Sequence, residues 1–280
     1  MKVLKQIALF CIAFLLTMGL SELFIRTSHL ASVSYTEFYD DIGRGRRKNL
    51  DYLYFNEGFG IGRYNKYRYI GEANPPEKPE NVFRVALMGD SYVEAWQVFD
   101  RDYFGNIAEK ILEEKYPNLH FEFLNFGRSG FDIADMYAYQ KNFVESFHPD
   151  LILYFLEKPA LQPVYSDPLR PSTIIENDSL IISFDFDSTD LKIYQTTNIL
   201  TQNSSIMNML NISRKRAIET SVTKILFDKI YFLFNSIEPE PEISDIIIEP
   251  VTEKIVKSLD PANIIIVNRD KHALPEEFHS

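Results

Sequence analysis

Apolar positions along this 280-residue chain gather into a few well-separated runs. The first, Ile7 to Leu20, is broken only by Thr17 and Gly19. It follows Lys2 and Lys5, is extended by Leu23, Phe24 and Ile25, and closes at Arg26. Its length and composition predict a helix that serves either as a membrane anchor or as a cleaved signal peptide. Only Gly19 and Ser21 are spaced as a cleavage site requires, so residues 1–26 are read as an uncleaved anchor. The lysines before the run place the N-terminus in the cytoplasm and the main domain in the periplasm or otherwise outside the cytoplasm.

The next run, Val82 to Leu87, is short, apolar apart from Arg84, and stops at Gly89-Asp90-Ser91. That pattern predicts a buried strand of a parallel sheet ending in a tight turn. Phe104, Ile107, Ala108, Ile111 and Leu112 then recur at helical spacing and predict a helix over about 102–115. A second strand, His120 to Phe126, breaks at Gly127-Arg128-Ser129-Gly130, and a helix follows from Ile133 to Phe147. A third strand, Asp150 to Leu156, ends in Glu157-Lys158-Pro159-Ala160. Residues 161–200 read as an inserted loop region with a hairpin around Leu180 to Phe184. A helix is predicted from Ser213 to Phe234, a short one from Val251 to Leu259, and a fourth strand from Asn263 to Val267. Strands alternating with helices predict an α/β fold with a mostly parallel sheet. Ahead of it, residues 27–81 read as an irregular approach segment that ends in the stiff linker Asn74-Pro75-Pro76-Glu77-Lys78-Pro79. The domain itself is placed at 82–280, with an insertion at about 161–245.

Charge narrows the partners. There are 29 basic and 40 acidic residues, a net charge of −11, which argues against nucleic acid. The cluster Arg44, Arg46, Arg47, Lys48 is read as solvated surface, with binding to an acidic polymer as the lesser alternative. Cys11 is the single cysteine, so no intramolecular disulfide can form. Gly58 to Gly62 is glycine-rich but lacks the strand-turn-helix setting of a dinucleotide fingerprint, and no phosphate loop is present. No His/Cys/Asp cluster has metal-ligand spacing, so neither a cofactor nor a metal is expected.

Chemistry centres on Ser91. Gly, Asp and Ser are all ordinary turn residues, and a plain turn is one reading of the tripeptide. The other is a nucleophile, because this serine sits at the carboxyl end of a strand, where open α/β sheets bind their ligands. The turn at Gly127–Gly130 belongs to the same edge and is either a plain strand-to-helix turn or one whose Gly130 N–H faces the same cleft. A serine nucleophile needs a base. Of the five histidines, His29 adjoins the anchor and His120 and His148 precede their strands at the opposite edge. His272 follows the fourth strand on the correct edge and is read as the base, with Asp270 as its orienting carboxylate; His279 lies further on. An exposed loop histidine is the alternative for His272.

These blocks together resemble the SGNH (GDSL-type) hydrolases, in their membrane-anchored bacterial form. Gly89-Asp90-Ser91 is similar to their first block, Leu124 to Gly130 (LNFGRSG) to their second, and His148-Pro149-Asp150 with the strand after it to the approach to their third. The resemblance covers residues 80–160 well and the rest loosely. It implies a flavodoxin-like three-layer sandwich with an N-terminal transmembrane helix. It implies an oxyanion hole from the backbone N–H groups of Ser91 and Gly130, and a serine esterase acting on ester (O-acetyl) groups of an envelope glycan. The family's third-block asparagine has no counterpart in Glu157 to Ala160, and the chain stops at Ser280, soon after the fourth strand. The competing expectation is therefore a catalytically impaired or shortened relative, tethered to the membrane, that binds glycan or scaffolds an envelope assembly.

Overall fold

The computed structural model describes residues 2–54, 58–163, 168–219 and 249–268, the side chains of 158, 159, 215–219 and 268 excepted. By its contacts the chain divides into two compact units, Met1–Tyr35 with Ile193–Glu242 and Thr36–Lys192 with Ile243–Ser280.

Helix α1 (Lys2–Thr27) comes first, followed by two antiparallel hairpins, β1–β2 (Thr36–Tyr39, Gly43–Arg46) and β3–β4 (Leu50–Tyr54, Gly60–Tyr64). Strand β5 (Val82–Met88) leads through α2 (Ser91–Glu94) and α3 (Phe104–Lys115) to β6 (His120–Asn125). Helix α4 (Ile133–Asn142) connects β6 to β7 (Leu151–Leu156). A third hairpin, β8–β9 (Ser172–Glu176, Ser179–Ser183), is followed by α5 (Ser188–Asn203), α6 (Ser205–Glu219), α7 (Pro250–Ser258) and β10 (Ile264–Asn268).

Four strands form one parallel sheet in the order β10-β7-β5-β6. Alternate residues serve its two faces, which is why β7 reads as a continuous apolar run and β5 as one broken only by Arg84. Ala86 and Met88 of β5 pack with Leu124, Ile152 and Tyr154 against Ile133 and Met136 of α4 and Ile255 of α7. Val85 and Leu87 point the other way, to Val93, Ala95 and Tyr103. Arg84, the one charged residue of β5, is fully buried at the amino-terminal edge. Its Nε donates to Glu122 of β6 at 2.6 Å, its register neighbour, and its Nη1 to the Phe147 carbonyl at 2.6 Å. Ion pairing fastens that edge and leaves the opposite one to the loops.

The segment 27–81 is not irregular, since it holds the first two hairpins. Their strands have four or five residues each and are interrupted by glycine, too short for a period of two to show. Buried Tyr52 and Tyr64 pack side by side with ring centroids 5.6 Å apart, and bridges from Tyr64 to Ile70 and from Ile70 to Asn125 tie the segment to the edge of β6. In the insertion the β8–β9 hairpin falls where the apolar run predicted it. Helix α5 occupies what reads as loop, because its buried residues are polar, Asn198 and Thr201, and leave little apolar periodicity. The helix expected over Ser213 to Phe234 begins earlier, at Ser205, and residues 220–234 of that expectation lie outside the described residues.

In the smaller unit α1 is the one helix, among the described residues, long and apolar enough to cross a membrane. Only Met18, Ser21, Glu22 and Ile25, one helical stripe, are partly or wholly covered. Glu22 accepts from Ser204 Oγ at 2.8 Å and from the N–H groups of Ser205 and Ile206 at 2.7 and 3.1 Å, so it caps the start of α6.

Candidate active site

The strand order reverses direction once. From β5 the chain moves to β6 on one side, and α4 then carries it back to β7 on the other side of β5. Such a reversal opens a crevice at the carboxyl ends of the two diverging strands. Three turns leave the sheet there: Gly89-Asp90-Ser91 after β5, Gly127 to Gly130 after β6, and Glu157 after β7. Asp90, Ser91, Gly130 and Glu157 line one cavity of about 750 Å³, with Asp132 and Asp135 of α4 on one wall. Arg170, Pro171, Ser172 and Ile174 of the third hairpin, and Asp185 and Asp187 beyond it, make another wall.

In the first turn two of the three residues have structural work. A Cβ on Gly89 would lie 2.3 Å from Val93 Cγ2, so only glycine lets α2 fold back on the strand end. Asp90 is the N-cap of α2 and accepts from the Tyr92 N–H at 2.9 Å. Ser91 has no such duty. It is exposed at the first position of α2, and among the described residues neither its hydroxyl nor its N–H has a hydrogen-bond partner.

The second turn is locked to the first by Glu94, which sequence reading missed. Glu94 is buried and accepts from Arg46 Nε and Nη2 at 2.8 and 2.9 Å, from Tyr64 Oη at 2.6 Å, and from Ser129 N and Oγ at 2.7 and 2.5 Å. Burial alone would raise its pKa, but the Arg46 charge and these donors hold it below the ordinary glutamate value. Arg46 therefore is not the solvated cation expected; it lies over the Trp96 ring and pairs with Glu94. Gly127 sits where the two turns touch, since a Cβ there would come within 2.5 Å of the Glu94 nitrogen. Gly130 has φ +74°, a left-handed conformation that suits glycine, and its N–H has no acceptor among the described residues. Its carbonyl accepts from Arg170 Nη1 at 2.8 Å, and the same nitrogen reaches Asp135 at 2.7 Å. The insertion thus helps to hold the second turn: Arg170 grips it, and Thr173 anchors the hairpin on the Ala134 carbonyl at 2.8 Å.

The cavity lining is acidic. Among the described lining residues, Asp90, Asp132, Asp135, Glu157, Asp185 and Asp187 face one cation, Arg170, which Asp135 engages. Burial raises the Asp135 pKa to about 6 against the lowering effect of Arg170. Such a field disfavours anionic ligands and accepts neutral or cationic ones.

Of the residues singled out in the sequence, the fold brings Ser91 and Gly130 to one cavity. Asp270 and His272 lie outside the described residues. Strand β10 ends at Asn268, in register with Leu156, so the chain leaves the sheet at the edge that carries Ser91. His120 opens β6 and His148 precedes β7, both at the far edge, and His29 belongs to the smaller unit. Glu94, Arg46, Tyr64, Ser129 and Arg170 were not found from sequence. The one legible signal was a glutamate inside the apolar stretch Tyr92 to Trp96, which needs a partner if buried. Among the described residues no group of three or more His, Cys, Asp or Glu side chains could hold a metal ion. Compared with family models, curated proteins and solved structures, the chain matches none.

Proposed function

We propose that this chain is a membrane-tethered serine acyl hydrolase of the SGNH type, acting on ester (O-acetyl) groups of an envelope glycan. The observation that carries the reading is the pairing of Ser91 and Gly130 in one cavity at the strand-order reversal, each with an unengaged N–H among the described residues. The finer fold, a three-layer sandwich of flavodoxin-like type, belongs to the same proposal; the strand order and the two packed sheet faces support it.

In this reading Ser91 Oγ attacks the ester carbonyl carbon while His272, oriented by Asp270, takes the hydroxyl proton. The N–H groups of Ser91 and Gly130 stabilise the oxyanion, each contributing on the order of 3 kcal/mol. Collapse breaks the bond to the sugar oxygen, which receives the proton from His272. Water, deprotonated in turn by His272, attacks the acyl carbon; the bond to Ser91 Oγ breaks, His272 returns the proton to that oxygen, and the acid leaves. The acidic walls favour an uncharged ester over a phosphoester.

Fluorophosphonate labelling of the full-length protein in detergent tests this. Labelling that disappears in Ser91→Ala and falls in His272→Ala supports the enzyme. A folded sample that does not label overturns it.

A second reading, a catalytically impaired relative that binds glycan or scaffolds an envelope assembly, is favoured by Glu157. This carboxylate lines the cavity at the end of β7, where a hydrolase of this type would place a neutral donor toward the oxyanion. An anion there opposes the developing charge. Absence of labelling together with retained glycan binding would select this second reading.

A further inference from the structure

The end of α1 is built into the fold of the smaller unit. Besides the three bonds from Glu22 to residues 204–206, Arg26 donates to the Asn203 carbonyl at 2.6 Å and to Glu22 at 2.6 Å. The segment after α1 runs back along the same helices, with Asn208 Nδ2 on the Ser32 carbonyl at 2.7 Å and the Ser34 N–H on the Thr201 carbonyl at 2.8 Å. A leader destined for removal has no reason to cap another helix, so these contacts favour a retained anchor.

The same contacts set the depth of the α5–α6 turn. Residues 6–21, between Lys5 and Glu22, span about 24 Å of helix, against about 30 Å of hydrocarbon core. A span that short draws Glu22 to the boundary of the bilayer. The turn bonded to Glu22 and Arg26 must lie at that level. The side chains within about one helical turn of it are large, apolar and uncovered: Ile199 is 65% exposed, Leu200 56% and Leu210 54%. Leu20, Leu23 and Phe24 of α1 are likewise large, apolar and exposed.

We propose that the α5–α6 junction sits in the interfacial layer of the membrane that α1 enters, with Ile199, Leu200 and Leu210 against acyl chains. Glu22 and Arg26 fasten it there, so the smaller unit is a membrane-surface foot. The inference rests on α1 as the anchor and is independent of the chemistry at Ser91.

Cys11 is the single cysteine, so Cys11→Ser clears the chain for site-specific labels. Full-length Cys11→Ser carrying Leu200→Cys, Leu210→Cys or Leu20→Cys would be labelled with an environment-sensitive fluorophore. Each would be reconstituted in phosphatidylethanolamine–phosphatidylglycerol vesicles and titrated with doxyl-labelled phospholipid. Quenching at 200 and 210 comparable with that at 20 is the expected result. Quenching at 20 alone overturns the proposal while the anchor stands; this includes a blue-shifted, unquenched label at 200 or 210, which would mean a protein cover such as a second copy. No quenching at 20 overturns both. Glu22→Ala, which leaves the apolar run intact, is expected to reduce quenching at 210 but not at 20; unchanged quenching at 210 would overturn the fastening role.

Discussion

One carboxylate oxygen of Glu94 accepts both the backbone N–H of Ser129, at 2.7 Å, and its hydroxyl, at 2.5 Å. Glu94 lies one helical turn after Ser91, and Ser129 immediately precedes Gly130. A single buried group therefore sets the spacing between the candidate nucleophile and the candidate oxyanion donor. The other oxygen is held by Arg46 and Tyr64, which come from the first two hairpins. This gives the segment ahead of the sheet a role in shaping the cavity.

Glu94→Gln should cost about 3–5 kcal/mol, because it leaves Arg46 buried without its counter-charge. Urea unfolding at neutral pH checks this. The pH dependence has a defined sign. The folded pKa of Glu94 lies below its ordinary 4.5, so its stabilisation is complete above that value and is lost as pH falls through the folded value. Wild type and Glu94→Gln should converge in acid.

The two glycines of the second turn should fail differently. Gly127→Ala pushes a methyl into backbone atoms at 2.5 and 2.6 Å and should cost about 1–3 kcal/mol while slowing labelling of Ser91. Gly130→Ala meets nothing nearer than Arg170 Nη2 at 3.7 Å, so its cost, about 1–2 kcal/mol, is conformational. Thermal unfolding and labelling rates of both variants, measured together, separate the two mechanisms.

Asp135 should titrate near pH 6, readable by carbon NMR of its carboxyl group. Because this folded pKa is raised, Asp135 favours the folded state most below its ordinary 3.8, and that contribution is lost as pH rises towards 6. Arg170→Met should move the titration higher still, since the guanidinium is what lowers it.

Ser91→Ala should change stability by less than about 0.5 kcal/mol, as expected of an exposed side chain with no hydrogen bond among the described residues. If labelling vanishes while the unfolding curve stays in place, the loss is chemical. A variant that unfolds early would show that the hydroxyl has structural work after all.

The parallel sheet and the place of Ser91 were legible because burial on both faces makes β7 apolar throughout and β5 apolar apart from Arg84, and because glycine and aspartate at a strand end announce a turn. The hairpins before the sheet were not legible. Their strands are too short to show a period, and they pack through aromatic rings and ion pairs. Arg46 illustrates the reason. Beside Arg44, Arg47 and Lys48 it has the composition of a wet surface, and only a carboxylate forty-eight residues away makes it an interior residue. Helix α5 escaped notice for a related reason, since its buried face is polar.

By itself the sequence determined the four strands of the parallel sheet, the turn that presents Ser91, the second turn at Gly130 and the apolar run of α1, all of which follow from local periodicity and backbone preference. Only the tertiary structure decided that Glu94 joins the two turns, that Arg170 of the insertion grips Gly130, and that Glu22 fastens α1 to α6. Each of these is a charged group satisfied by atoms far away in the chain. A charge shows no periodicity, and its partner is selected by the burial that the fold imposes, not by its neighbours in sequence.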